Sequence, residues 1–364
     1  FANPGQDPNY AYSWKRQNFF DNVAAEHKAV RSNLGLYDMS SFGKIRVEGP
    51  DACAFMNYIG GGQYDVPLGK IVYTQFLNDR AGIEADVTVT RLSETCYLVV
   101  TPAATRLADQ TWMMRHKGAF NVVITDVTAG EAVLAVMGPN ARKLLERVSP
   151  NDFSNAHNPF GTAQEIELGM GLARAHRVTY VGELGWEVYV SADMAGHAFE
   201  TLWQAGQEMD AKLCGMHMMD SCRIEKGFRH FGHDITCEDH VLEAGLGFAV
   251  KTDKAEFIGR DAVLRKKDVG LDARMVQFKL TDPEPLLYHN EPVLRDGEIV
   301  GYLSSGNYGH HLGGAIGLGY VPCAGESAAE VLASSYEIDV AGTRVVAEAS
   351  LKPLYDPTGA RAKA

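Results

Sequence analysis

Two β-forming runs separated by a single tight reversal constrain this chain more than any other stretch. Residues 73–92 read YTQFLNDRAGIEADVTVTRL. Residues 72–77 are β-formers, Asn78-Asp79-Arg80-Ala81-Gly82 is a reversal, and residues 87–90 alternate apolar and hydroxyl-bearing side chains. A hairpin follows. It puts Asp86 at the start of the return strand, where a carboxylate points into a cleft from a rigid backbone. Taken alone, Asp86 reads as an ordinary acid at the end of a turn.

The flanking segments extend the antiparallel scheme. Residues 21–33 have Val23, His27 and Val30 on one helical face, with Gly35 placed to stop the helix. Lys44 to Val47 alternate like a half-buried strand, Gly49-Pro50 turns the chain, and Asp51 is placed to cap a short helix holding Cys53, Phe55 and Met56. After the hairpin, CYLVV (96–100) is a further strand feeding a helix from about 103 to 117. Residues 132–148 repeat strand, Gly138-Pro139 turn and helix, which points to two related α+β units. Residues 176–191 are hairpin-like, and Ser191 precedes a helix with Phe199, Leu202 and Trp203 on one face. Such alternation is α+β, not a doubly wound parallel sheet. Residues 280–292 hold three prolines and mark the shift to a last domain of short strands, with hairpin turns at Asp296-Gly297 and Ala341-Gly342. That domain reads as a small β-barrel or sandwich.

Bulk properties exclude several classes. The 364 residues are 46% hydrophobic and 22% charged, so two or three globular domains are expected. A net charge of −12 and a pI near 5.5 disfavour nucleic acid and anionic membranes as partners. Six cysteines without CxxC spacing signal neither a disulfide framework nor a thiolate zinc site, which fits a reducing compartment. No apolar run reaches roughly 18 residues, and no leader pattern is visible from Phe1 onward.

Cofactor motifs are as informative by their absence. There is no GxGxxG after a first strand, no Walker loop and no GxSxG elbow. His230, His233, Cys237 and His240 fall within eleven residues, but their spacing fits no regular zinc pattern and Lys226 and Arg229 beside them oppose a cation, so no metal is expected. His310-His311 lies among glycines, where backbone comes close to a ligand or a neighbouring strand. The remaining set is Tyr73, Asp86, Tyr180, Glu183, Glu187 and Arg223. Aromatic faces with carboxylates that accept paired N–H donors suit a flat, amide-rich heterocycle such as a pterin, and arginine suits a carboxylate tail. Each carboxylate singly is also readable as a surface or ion-paired residue.

Seven blocks in order give this set a family context: YSWKRQNFF (12–20), GLYDMSSFGK (35–44), GIEADVTVTRL (82–92), YVGELGWEVY (180–189), RIEKGFRHFGHDI (223–235), LEAGLGFAV (242–250) and GHHLGGAIGLGYV (309–321). Over nearly its whole length the chain resembles the tetrahydrofolate-binding aminomethyltransferase family. The resemblance is strongest to the carboxy-terminal half of dimethylglycine and sarcosine dehydrogenases, with the glycine-cleavage T-protein as another branch. It implies a three-domain cloverleaf of two α+β units plus a β-barrel, with a folate-binding domain over 1–275 and the barrel over 276–364.

By position, the resemblance makes Asp86 the catalytic aspartate, Tyr73 and Tyr180 aromatics lining tetrahydrofolate, and Glu187 the acid that pairs with the pterin. Arg223 matches an arginine of the folate site, Thr88 and Thr90 flank Asp86 along the pocket, and Glu183 belongs to the same cofactor-binding set. Ser41-Phe42 stands where T-proteins have His-Met, and Thr101 where they have asparagine, which argues against lipoyl-protein docking. The implied activity is transfer of a one-carbon unit, delivered as iminium or formaldehyde from oxidation of a methylated amine, to give 5,10-methylenetetrahydrofolate. The implied partner is a flavin- or metal-containing oxidoreductase subunit or domain, with YSWKRQNFF as docking segment, and the expected location is the cytoplasm, or the mitochondrial matrix in a eukaryote. The alternatives are a free-standing demethylase like that of dimethylsulfoniopropionate, a T-protein, or a folate-binding assembly factor; the last carries a cysteine motif near 180–187 that is absent here.

Overall fold

A computed structural model describes residues 1–11, 13 and 15–364. Tyr12 and Trp14 of the expected docking segment lie outside the described residues. The elements run α1 (Phe20–Ser32), β1 (Gly35–Asp38), β2 (Gly43–Glu48), α2 (Ala52–Ile59), β3 (Ile71–Leu77), β4 (Ile83–Ser93) and β5 (Cys96–Thr101). The same order then recurs: α3 (Arg106–His116), β6 (Val123–Asp126), β7 (Glu131–Met137), α4 (Ala141–Val148), β8 (Ala163–Leu168), β9 (Gly171–His176) and β10 (Gly185–Ser191). α5 (Ala195–Gln207), β11 (Lys212–Leu213), α6 (Met216–Glu225) and α7 (Arg260–Val269) lead to β12 (Ala273–Leu280), β13 (Pro292–Arg295), β14 (Glu298–Gly309), β15 (Gly314–Pro322), α8 (Ala328–Ala333), β16 (Tyr336–Val340) and β17 (Thr343–Ser350).

The two units are interleaved. One sheet has the order β3-β4-β5-β2-β6 and the other β8-β9-β10-β7-β1-β11. The leading strand of each unit is built into the other unit's sheet, β6 antiparallel to β2 and β1 antiparallel to β7. The two Gly-Pro turns fix this exchange. Gly49 and Gly138 have φ of 147° and 134°. A Cβ on Gly49 would lie 2.2 Å from the carbonyl oxygen of Asn121, and one on Gly138 2.4 Å from that of Asn33. Both carbonyls sit just ahead of an exchanged strand, so any side chain at either turn would push that strand out of its sheet. Asp51 does not cap its helix; its Oδ2 accepts from the backbone N–H of Asn121 at 2.8 Å, tying the same crossing together.

Strand alternation sorts the side chains into layers. On β4, Ala85, Val87 and Val89 pack with Phe55 and Met56 of α2. On β10, Trp186, Val188 and Val190 pack with Leu144 of α4 and Leu202 of α5. The opposite faces of the two sheets meet through Leu98 and Val100 of β5, Val133, Ala135 and Met137 of β7, and Met218 and Cys222 of α6. The polar alternates, Asp86, Thr88 and Thr90 on one side and Glu187 on the other, therefore turn toward the space between the sheets.

The carboxy-terminal strands close into a barrel, β12-β15-β14-β13-β16-β17. Its turns at Asp296-Gly297 (φ 51° and 89°) and Ala341-Gly342 (φ 51° and 88°) have both central residues left-handed, the type I′ geometry that matches strand twist. The proline-rich stretch joins two barrel strands instead of marking entry to the barrel, because β12 already starts at Ala273. The hairpin-like element at 176–191 has its first arm earlier than read, since β10 pairs antiparallel with β9 across a long loop. β9 ends at His176 and β10 begins at Gly185, and the loop between them carries Tyr180 and Glu183. Among the described residues no helix is long and apolar enough to cross a membrane, and all six cysteines are free thiols.

Candidate active site

The hairpin holds four polar side chains on one face. Gln75 pairs directly opposite Asp86 and Tyr73 opposite Thr88, so all four project to the same side of β3 and β4. Asp86 is the fourth residue of its strand, not the first, and is correspondingly rigid. Its Oδ1 accepts from Gln75 Nε2 at 2.8 Å, and the Tyr73 hydroxyl hydrogen-bonds to the same carboxylate. Burial pushes the Asp86 carboxyl up to about 6, against the opposing pull of Gln75, Tyr73 and the Arg229 guanidinium. Tyr73 is driven well above its ordinary range by burial and by Asp86, so it stays a neutral donor.

A second carboxylate faces the first unit from β10. Glu187 Oε2 accepts from the Tyr189 hydroxyl at 2.8 Å, and among the described residues Oε1 has no protein donor. Burial raises the Glu187 carboxyl to about 7, opposed by that hydrogen bond. The two sheets touch beside it. His176, opposite Glu187 on β9, accepts from Arg174 Nε at 3.0 Å, which leaves its Nδ1 as the protonated nitrogen facing Thr90 Oγ1 at 3.4 Å. Burial and Arg174 hold the His176 imidazole neutral. Thr90 is thus a fully buried contact between the sheets, whereas Thr88 is half-buried beside Asp86.

Aromatic surfaces border these acids. Tyr180 stacks on Phe228, with centroids 6.0 Å apart and planes 18° apart, and its hydroxyl donates to the Arg229 carbonyl at 3.0 Å. Tyr73 is 37% exposed and lies 6.2 Å from the ring of Phe248, itself 67% exposed, so an aromatic pair stands open at the mouth. Arg223 is buried and donates to Asp220 at 2.6 Å, to Asp234 at 2.7 Å and to the Phe228 carbonyl at 3.2 Å, which fixes the loop beneath Tyr180. It also lines a cavity of about 320 Å³ with Phe20, His217, His230 and Tyr308; neither Asp86 nor Glu187 lines that cavity.

The structure does not bring Glu183 to this group. Its Oε1 accepts from Arg31 at 3.1 Å and from the Tyr355 hydroxyl, and its Oε2 from Arg361 at 2.8 Å. Both oxygens are spent joining α1 and the carboxy-terminal segment to the 177–184 loop. His230 and His233 lie ring against ring at 4.7 Å, and among the described residues no group of three or more His, Cys, Asp or Glu is arranged to hold a metal ion. The glycines around His310-His311 admit a neighbouring carboxylate: Glu225 Oε1 accepts from the backbone N–H groups of His311 and Leu312. In the segment expected to dock a partner, Gln17 donates to the Tyr288 hydroxyl at 2.6 Å and Arg16 lies 3.3 Å from Glu284, both on this chain's own barrel lobe.

Gln75, Tyr189, Arg229 and Phe248 are missed by the sequence reading. Gln75 and Tyr189 were within reach of strand alternation, each two residues from a chosen position. Arg229 and Phe248 lie in irregular segments, where no periodicity marks a direction.

The residues at this site sit in segments that family models match. Residues 6–254 match the GCVT N-terminal domain, and residues 274–356 match the glycine cleavage T-protein C-terminal barrel domain. The chain belongs to the glycine-cleavage T-protein family. It is 43% identical over 362 residues to a 4-methylaminobutanoate oxidase (formaldehyde-forming) of Paenarthrobacter nicotinovorans, covering 99% of this chain and 43% of that protein. It is 31% identical over 328 residues to human mitochondrial dimethylglycine dehydrogenase, covering 88% of this chain and 37% of that one. The chain therefore spans about two fifths of these relatives. A glycine cleavage system aminomethyltransferase T from Bartonella henselae has the same fold, with a TM-score of 0.83 over 96% of this chain and 94% of that one at 24% identity. Membership of this family supports the one-carbon-transfer chemistry that the resemblance implied.

Proposed function

We propose that the chain binds tetrahydrofolate between the two sheets and loads it with a one-carbon unit released by oxidative demethylation of a methylated amine. The observation that carries this is Asp86, a carboxylate on a rigid strand, held by an amide and a phenol and poised to gain or lose a proton near neutrality. The donor set fits the ligand. Glu187 offers a free oxygen to the N–H donors of a pterin, Tyr180 and the Tyr73–Phe248 pair offer flat faces, and Arg223 keeps Nη2 without a protein partner among the described residues for an anionic tail.

Tetrahydrofolate supplies two nitrogens that together hold the carbon as a methylene bridge. The protein's part is positional and electrostatic. Asp86 orients the nitrogen that attacks, stabilises positive charge as it develops and takes up a departing proton. Tyr73, neutral throughout, keeps its hydrogen on the carboxylate and limits its rotation. Glu187 anchors the far edge of the ligand so that the reacting end stays at Asp86.

Size supports a partner. Proteins named as an amine oxidase and a dehydrogenase share this chain as about two fifths of their length, so oxidation belongs to a flavin- or metal-containing subunit or domain and carbon capture to this one. The test is to mix the purified chain with tetrahydrofolate and formaldehyde and follow methylenetetrahydrofolate. Acceleration over the spontaneous reaction, abolished by D86N, is expected; binding without acceleration until a methylated amine or sulfonium is added would replace this reading with a self-sufficient demethylase.

A further inference from the structure

Gln75 is an oddity among the buried residues of β3. It has no exposed surface, whereas the Asp86 opposite it borders the space between the sheets. Its Nε2 donates to Asp86 Oδ1 at 2.8 Å, yet its own Oε1 is buried without a hydrogen-bond partner among the described residues. An orphaned buried acceptor is ordinarily destabilising. A leucine or methionine would fill the same volume without that penalty, so packing does not account for an amide here. The feature that does is symmetry of shape: an amide turned over about its terminal bond puts an acceptor where the donor was.

We propose that Gln75 is a positioning residue that follows the protonation of Asp86, donating from Nε2 to the carboxylate and, turned over, accepting at Oε1 from the carboxylic acid. The inference rests on the function proposed above. The step in which Gln75 takes part is a proton transfer: as a folate nitrogen forms its C–N bond its N–H breaks, the proton neutralises Asp86, and Asp86 then gives it to the group that leaves the incoming carbon, the oxygen of formaldehyde departing as water or the nitrogen of an iminium as free amine, while the amide turns back. The carboxyl therefore keeps a hydrogen bond in both states and does not rotate away from the ligand when protonated. Tyr73 serves only one half of this cycle, since its hydroxyl hydrogen meets the ionised form best. Of the charged groups around it, the Arg229 guanidinium favours ionised Asp86, and Asp109 feels the Asp86 charge in turn; Gln75 bonds the ionised form more strongly through Nε2 and the acid more weakly through Oε1, so it keeps a partner on both without cancelling that bias.

The test uses two variants of the full chain, Q75M, which removes both donor and acceptor, and Q75E, which places a second acid against the first. The Asp86 carboxyl is titrated by carbon-13 NMR without folate, and kcat is measured against pH with it. Q75M is expected to raise the Asp86 midpoint and the acid limb of kcat by about one pH unit, a tenfold change in proton affinity, and to lower kcat at the optimum by about tenfold or more with tetrahydrofolate Kd unchanged within about twofold. Q75E moves the midpoint further up, because like charges share the site. If either folded variant leaves the midpoint and limb in place, or weakens folate binding without moving them, Gln75 is structural and the proposal falls. A wild-type chain that binds no tetrahydrofolate would instead remove the functional reading, while the folate-free titration would still report whether Gln75 governs Asp86.

Discussion

Exchanging Asp86 for asparagine should make the protein more stable and nearly inactive. The carboxyl is raised from 3.8 to about 6 in the folded chain. The folded state thus binds the proton more tightly than the unfolded state between those values. Stability contributed by Asp86 is fully present below pH 3.8 and is lost as pH rises through about 6. At pH 7.5 the ionised carboxylate carries the whole penalty, about 2.2 pH units at about 1.4 kcal/mol each, or about 3 kcal/mol. Water in the space it borders screens part of this, so D86N should gain between about 1 and 3 kcal/mol at pH 7.5 and nothing at pH 3.5. The amide oxygen of the variant still accepts from Gln75, so shape is kept. Urea unfolding at the two pH values measures the first effect, and single-turnover formation of methylenetetrahydrofolate measures the second, expected to fall by about 10² to 10⁴. In the wild type the acid limb of kcat lies near pH 6, with about a tenfold loss by pH 5. A variant that is destabilised at pH 7.5, or a wild-type limb near pH 4, would refute the claim that Asp86 is strained by burial in order to work.

Other expectations are equally direct. E187Q should weaken tetrahydrofolate binding by about 10- to 100-fold in calorimetry while kcat at saturation changes by less than about threefold, since it removes one charge-assisted hydrogen bond remote from the reacting end. E183Q should leave that affinity unchanged and lower stability by about 3 kcal/mol, because it strips Arg31 and Arg361 of a shared buried partner; an affinity loss without a stability loss would return Glu183 to the ligand site. G138A should cost about 2–4 kcal/mol through its clash with the Asn33 carbonyl and its positive φ, against less than about 0.5 for G130A, where a Cβ would meet nothing within 4 Å.

What sequence could reveal followed from local rules. The hairpin, the type I′ barrel turns and the repeated Gly-Pro signature each depend on a few adjacent residues, and each appears in the structure where the pattern put it. Asp86 could be set on its strand by local rules, whereas Tyr73, Thr88 and Glu187 were singled out through the family resemblance; the structure sets all four on strands. Glu183 shows where that logic ends. It sits four residues before Glu187 in the same sequence block, but in a loop, where no period sets direction, and partners more than 150 residues away in α1 and the carboxy-terminal segment claim it. Arg223 is intermediate: it lies beneath the Tyr180–Phe228 stack, yet is engaged mainly in holding a loop. The exchange of β1 and β6 left no mark at all, since a strand's own sequence does not name the sheet it will join.

That exchange bears on how the molecule comes into being on the ribosome. β1 is complete by residue 38, but its antiparallel partner β7 is not made until residues 131–137. At ordinary elongation rates of about 5–20 residues per second, the nascent chain carries that unpaired edge for on the order of 5–20 s. The first unit likewise waits for β6 before its sheet is finished. Neither half can be released as a self-standing module, however clearly the sequence repeats, and a ribosome stalled near residue 120 would present two open strand edges to its neighbours.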